Sequence, residues 1–99
     1  MNKEIVFLSG KYRGDIQQNI NKARLVSQKL WQQGFIVICP HLNTANFDGI
    51  CPDDIWLNGY LEILKRCDSI YMMKNWEQSQ GAVKELSLAK ELDKKVHYE

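Results

Sequence analysis

Three short stretches carry the side chains with which this chain could bind or attack a small polar ligand. The first is Ser9-Gly10-Lys11-Tyr12-Arg13-Gly14. Its two glycines let the backbone approach a ligand closely, and the Arg13 guanidinium can fork onto a phosphate or carboxylate. The spacing is not that of a P-loop, and a surface turn with a solvated arginine is the competing reading. The second is Ser79, within Trp76-Glu77-Gln78-Ser79-Gln80-Gly81. It can offer a hydroxyl and nearby backbone donors to an anion, or cap a helix, and the two roles are compatible. The third is Glu85, three residues after Ala82 and four before Ala89, at the border of an apolar helical stripe. A helix N-terminus close by would favour its anion, although a border glutamate beside Lys84 can equally turn outward to water. Tyr12 and Trp76 could stack a base, while the remaining tryptophans read as packing. Cys39, His41 and Cys51 lack the paired short spacings of a zinc site, so neither a metal nor a cofactor is expected. His41 reads as a loop residue near the pocket and His97 as an ordinary side chain near the C-terminus.

The elements that must position these residues follow from the apolar pattern. Residues 4–9 form an apolar run closed by glycines, as expected of a strand buried on both faces. From Ile16 the positions Ile20, Ala23, Val26 and Leu30 recur at helical spacing until Gly34, which stands where a left-handed cap belongs. Residues 35–39 make a second strand, stopped by Pro40. Residues 41–53 have no period and read as a functional loop. A second helix follows the acidic pair Asp53 and Asp54 and carries Ile55, Trp56, Leu57, Tyr60, Leu61 and Leu64. A third strand covers residues 69–73, a third helix carries Ala82, Leu86, Ala89 and Leu92, and residues 96–98 make a short last strand. Strict alternation of strand and helix predicts an α/β fold: an open four-stranded parallel sheet with flanking helices, flavodoxin- or Rossmann-like in three layers. Ligands of such sheets sit beyond the carboxyl ends of the strands, which singles out residues 9–15, 40–53 and 74–81.

Bulk properties bound the function classes. Ninety-nine residues, 44% hydrophobic and 25% charged, make one small globular domain, for which packing against a twin subunit would be a natural supplement. Thirteen basic and 12 acidic residues are scattered along the chain and leave a net charge of +1, so no broad field exists to hold a nucleic-acid backbone. No apolar run approaches the ~20 residues that span a bilayer. Three cysteines, with no leader before the first strand, point to a reduced, cytoplasmic protein.

Taken together, the stretches Phe7-Leu8-Ser9-Gly10-Lys11-Tyr12-Arg13-Gly14, Cys39-Pro40-His41-Leu42-Asn43-Thr44, Phe47-Asp48-Gly49, Cys67-Asp68 and Trp76-Glu77-Gln78-Ser79-Gln80-Gly81-Ala82, followed by Glu85, resemble the nucleoside 2-deoxyribosyltransferase-like superfamily. In particular they resemble a family of small bacterial and phage domains, over nearly the whole chain (1–99). Characterised members cleave or exchange N-glycosidic bonds of nucleosides or nucleotides. The resemblance implies that Glu85 takes the place of the nucleophilic glutamate, whose carboxylate attacks the anomeric carbon as the base departs. It puts Ser79 and the Arg13 loop where the nucleotide hydrolases grip a 5′-phosphate. Ligand contacts are accordingly expected at Ser9, Gly10, Lys11, Tyr12, Arg13, Gly14, His41, Asn43, Asp48, Tyr60, Trp76, Ser79 and Gly81, in a site that family members often complete with a neighbouring subunit of a homo-oligomer.

Two departures bear on the chemistry. Tyr60 stands where the catalytic relatives carry an aspartate that assists the leaving base, and a phenol with a pKa near ~10 is a poor acid for that task. Phe7 stands where they commonly carry a tyrosine that orients the nucleophile. The sequence therefore favours a protein that binds a nucleoside- or nucleotide-type ligand with weak or no cleavage, sequestration of a nucleotide signal being one form of that role. The alternatives are an N-glycosidic hydrolase or transferase in which Asp48, Asp53 or Asp54 supplies the missing acid, and a non-catalytic interaction module that keeps the fold.

Overall fold

In the computed structural model, which describes residues 3–99, strand β1 (Ile5–Ser9) lies inside the sheet and is almost wholly buried, as its uninterrupted apolar run demands. Helix α1 (Ile16–Gln32) follows, with Asp15 accepting a bond from the Gln18 amide at its start. Gly34 has φ +93° just past its end, the left-handed geometry that a glycine adopts without strain. Next come β2 (Ile36–Ile38), the one-turn helix α2 (Pro40–Asn43) and α3 (Asp53–Lys65). Then follow β3 (Ser69–Met72), a 3₁₀ turn (Trp76–Gln78), α4 (Gln80–Glu91) and β4 (Lys95–Tyr98).

All pairs in the sheet are parallel and the strand order is β2-β1-β3-β4. The four-stranded parallel sheet with flanking helices expected from the alternation is the architecture found. On one face Val6, Leu8 and Val37 pack against Ala23 and Leu30 of α1. On the other, Phe7, Ile70 and Met72 pack against Tyr60 and Leu64 of α3 and Ala82, Leu86 and Ala89 of α4. Three layers result, and the chain leaves β1 toward one face and β3 toward the other. Those diverging exits open a crevice beyond the carboxyl ends of β1 and β3, where open α/β sheets bind ligands.

Two local expectations are corrected. Pro40 does more than end β2: it occupies the first turn of α2, where its fixed φ fits and its missing N–H is no loss, so the segment read as an unstructured loop begins with a helical turn. His97 is not an ordinary terminal side chain. Its Nε2 lies 2.8 Å from Glu4 Oε2, and its ring sits near those of Phe35 and Tyr71, with centroids at 5.6 and 6.3 Å. Ser69 Oγ donates to the same Glu4 oxygen at 2.6 Å, which ties β1, β3 and β4 together at the sheet end away from the crevice. Among the described residues no helix is long and apolar enough to cross a membrane.

Candidate functional site

The crevice encloses a cavity of about 650 Å³, within the range of roughly 300–1,000 Å³ that accommodates small-molecule ligands. Glu85 lies on its lining. Ala82, Leu86 and Ala89 turn α4 toward the sheet, and Glu85, on the same face, is carried inward to 9% exposure. Of the two readings its spacing allowed, the inward one is found, while Lys84 remains exposed. Ser9, the last residue of β1 and 1% exposed, donates its hydroxyl to Glu85 Oε1 at 2.7 Å. Burial pushes the Glu85 carboxyl up to about 7, with the Ser9 bond pulling in the opposite direction. The hydroxyl that Phe7 cannot provide to this carboxylate comes from Ser9 instead, and Phe7 is fully buried against the edge of the Tyr60 ring.

The loop after β1 forms one wall. Gly10 passes so close to Met73 that a Cβ placed on it would stand 3.0 Å from Met73 Cβ, so only glycine fits without displacement. Lys11 Nζ donates to Gln78 Oε1 at 3.1 Å, Tyr12 donates to Asp48 Oδ1 at 2.7 Å, and Arg13 forms an exposed ion pair with Asp53. Each of the three side chains thus reaches a different neighbouring segment around the cavity. His41, on α2, is 5% exposed and meets the Lys11 carbonyl through Nε2 at 2.8 Å. A carbonyl can only accept, so Nε2 carries the proton and Nδ1 is the bare lone pair; it has no partner among the described residues and is shielded from solvent. Burial holds this imidazole below its ordinary pKa, and therefore neutral near pH 7. The Tyr12 ring stands edge-on to it at 5.5 Å.

Loop 44–52 and the start of α3 supply the opposite wall. Tyr60 accepts from Asn43 Nδ2 at 3.0 Å, and its oxygen lies 3.0 Å from Thr44 Oγ1, which is itself 3.3 Å from the Pro40 carbonyl. If Thr44 donates to that carbonyl, the phenolic proton points to Thr44. Tyr60 therefore fastens α2 to α3, and its hydroxyl is already committed. Asp48 is held below its ordinary pKa by the Tyr12 hydroxyl. Asp53 is engaged by Arg13, whereas Asp54 lines the cavity with no partner among the described residues.

Of the residues singled out from sequence, Ser9, Gly10, Lys11, Tyr12, Arg13, His41, Asp48, Tyr60, Ser79, Gly81 and Glu85 line this one cavity, together with Asp53 and Asp54. Ser79 combines lining with capping, since its Oγ accepts from the Ala82 amide at 3.1 Å. Three residues stand outside. Gly14, φ +100°, turns the chain toward α1. Asn43 faces Tyr60 from behind the wall. Trp76 is turned by the 3₁₀ helix toward Tyr98, 6.3 Å away, and lines a separate, smaller recess with it. The tryptophan in the cavity is instead Trp56, which had been read as packing; it joins Tyr12 and Tyr60 on the lining, and its ring lies 6.2 Å from Phe47. Trp56, Leu57, Thr44 and Gln78 were not singled out in advance. The acidic start of α3 beside a long loop was the available signal for Trp56 and Leu57; nothing local marks Thr44. The three cysteines are free, and among the described residues no cluster of His, Cys, Asp or Glu could hold a metal ion.

A family model described as a domain of unknown function (DUF4406) matches residues 4–98. No curated protein sequence matches. Among solved structures, the chain is similar to a 2-deoxyribosyltransferase from the psychrotolerant bacterium Bacillus psychrosaccharolyticus, described as a biocatalyst for synthesis of antiviral and antitumoral nucleosides. The TM-score is 0.66 and the identity 20%, over 95% of this chain and 70% of that one. At that identity the likeness is one of fold.

Proposed function

This chain belongs to the DUF4406 family, and from that premise we propose that its cavity binds a nucleoside- or nucleotide-type ligand, with the sugar toward Glu85. The observation that carries the reading is a buried carboxyl, held by the Ser9 hydroxyl, on the lining of a ligand-sized cavity at the strand ends of a deoxyribosyltransferase-like fold. Desolvating a carboxyl is costly, and one hydrogen bond from Ser9 offsets that cost only in part, so a buried carboxyl kept at a cavity makes Glu85 a functional candidate. Trp56 and Tyr12 offer faces or edges to a base, and Arg13 with Lys11 offers cations to a phosphate, if Asp53 and Gln78 release them. Cleavage is slow or absent in this reading. The Tyr60 hydroxyl is tied to Asn43 and Thr44, and burial raises the Glu85 carboxyl to about 7, which disfavours the nucleophilic anion.

The Ser9–Glu85 bond favours a second reading, in which the site cleaves the glycosidic bond. The Glu85 carboxylate would attack the anomeric carbon, the C–N bond would break with its electron pair leaving on the base, and the base would take a proton. Asp54, which lines the cavity without a partner among the described residues, is the candidate substitute for the missing acid. Water would then hydrolyse the glycosyl ester and regenerate the carboxylate. The test is incubation of the pure protein with nucleosides and nucleoside 5′-monophosphates, followed by chromatography before and after denaturation. Intact ligand retained in stoichiometric amount supports binding. Free base released by the wild type and not by Glu85→Gln replaces that reading with the second. Neither binding nor release of any panel member refutes both.

A further inference from the structure

The loop that carries Lys11, Tyr12 and Arg13 is held by its carbonyls. His41 Nε2 donates to the Lys11 carbonyl at 2.8 Å, and the single side-chain amide of Asn19 donates to the next two, Tyr12 at 3.0 Å and Arg13 at 3.1 Å. Three successive carbonyls are therefore captured by two side chains, one from α2 and one from the first turns of α1. The arrangement has chemical direction. Carbonyl oxygens only accept, so the Asn19 contacts require its NH₂ group and the His41 contact requires Nε2–H. The amides of Lys11, Tyr12, Arg13 and Gly14 have no acceptor among the described residues. With its carbonyls bound, the loop keeps its backbone donors for something else, while the Lys11 and Arg13 cations rest on Gln78 and Asp53, and Lys11, Tyr12 and Arg13 all border the cavity.

We infer that Asn19 and His41 are positioning residues, a two-sided clamp that fixes the conformation of residues 11–13 so that their backbone donors are preset for an anionic group of the ligand. Neither needs to touch that ligand. The ligand half of this inference rests on the reading of the cavity as a nucleoside or nucleotide site; the fixing of the loop does not. Asn19 suits the task because it stands one turn inside α1, where its amide reaches back to residues six and seven earlier in the chain. His41 suits it because burial keeps the ring neutral, with one donor and in one tautomer.

The two halves are separable by experiment. In the free protein, ¹⁵N relaxation and amide hydrogen exchange are compared for the wild type, Asn19→Leu, Asn19→Asp, His41→Phe and His41→Gln. The expected result is a loss of order confined to residues 10–14 in Asn19→Leu, Asn19→Asp and His41→Phe, with β1 and α1 unchanged. His41→Gln, which keeps an amide donor of similar reach, restores order. Unaltered loop dynamics in both Asn19 variants overturns the clamp, and if His41→Phe fails to fold the Asn19 pair decides alone. Inorganic phosphate, then nucleoside 5′-monophosphates, are next titrated into each variant. Losing the preset geometry of two or three hydrogen bonds should weaken binding about tenfold or more at nearly unchanged thermal midpoint. Equal affinity in wild type and clamp variants, despite a loosened loop, overturns the positioning role. If the wild type binds neither phosphate nor any monophosphate, the anionic-group half of the inference is refuted together with the nucleotide reading, and loop order still decides the clamp.

Discussion

Replacing Glu85 by glutamine should stabilise the protein, increasingly as pH rises from about 4.5 to about 7 and fully above that. The carboxyl titrates near 7 in the folded chain and at its ordinary 4.5 when unfolded, because burial penalises the anion more than the Ser9 bond supports it. A raised carboxyl binds its proton more tightly in the native state. Its contribution to stability is complete below pH 4.5, declines as pH rises, and is gone above about 7. The separation of the two values corresponds to about 3 kcal/mol at 1.36 kcal/mol per unit. Glu85→Gln keeps the volume and an oxygen for the Ser9 hydroxyl but carries no charge at any pH. Compared with wild type it should be nearly neutral at pH 4.5 and more stable by up to about 3 kcal/mol at pH 8.5, on the order of 10–20 °C in a domain of this size. The assay is thermal or urea unfolding of both proteins every half unit across that range, read as a difference curve. Burial of neutral His41 and the hydrogen-bonded carboxylates Glu4 and Asp48 impose their own pH dependence, but on both proteins alike. A difference curve flat from pH 4.5 to 8.5 would refute the reasoning, because it would mean that Glu85 ionises as freely in the fold as in water.

Ser9→Ala removes the group that favours the Glu85 anion, so the carboxyl should titrate higher still, as followed by ¹³C chemical shift of its carboxyl carbon; a downward move contradicts the geometry. Should the site prove to cleave its ligand, the rate ought to rise with pH as Glu85 ionises near 7, and Ser9→Ala should push that limb to higher pH. Tyr60→Phe strips the hydroxyl from Asn43 and Thr44 and should cost about 1–3 kcal/mol in urea unfolding, with faster amide exchange in residues 40–46. An unchanged α2 would show that Tyr60 does not fasten it. Gly10→Ala drives a methyl onto Met73 and should cost about 1–3 kcal/mol, part of which the double variant Gly10→Ala with Met73→Ala recovers.

Most of the fold could be read directly. Ile5 to Leu8 announce a buried strand by type alone, and the α1 stripe together with Gly34 announces both its face and its end. Pro40 was harder, because a four-residue helix has no period to detect and the same residue that stops a strand is well suited to start a helix. The site was legible as a set of residues and not as a set of contacts. Ser9 and Glu85 are 76 positions apart and Glu4 and His97 are 93 apart, so that neither hydrogen bond leaves a local trace. Glu85 shows the limit: its place on the edge of the α4 stripe is equally compatible with solvent and with the cavity, and only the packing of Ala82 and Leu86 against the sheet decides between them. Trp76 erred for the opposite reason, since a loop at the ligand-binding edge says nothing of the direction its 3₁₀ turn imposes on the ring. Asn19 escaped notice because it lies off the apolar stripe of α1, where an amide ordinarily faces water.

The position of β1 has a consequence for the order in which the protein can be made. It is the most buried strand, yet it precedes the other three in the chain, and the strand that covers its other edge, β3, pairs Val6 with Ser69 more than sixty residues later. At about 5–20 residues per second, the nascent chain carries an apolar strand with one unsatisfied edge for roughly 3–12 s before β3 is made. Helix α1 and β2 arrive in the interval and can shelter one face and one edge, so β1, α1 and β2 are the elements available to pair before β3. The other face, with Phe7, must wait for α3 and α4. A nascent chain stalled before β3 should therefore be the species most open to chaperone capture and to pairing with its own kind.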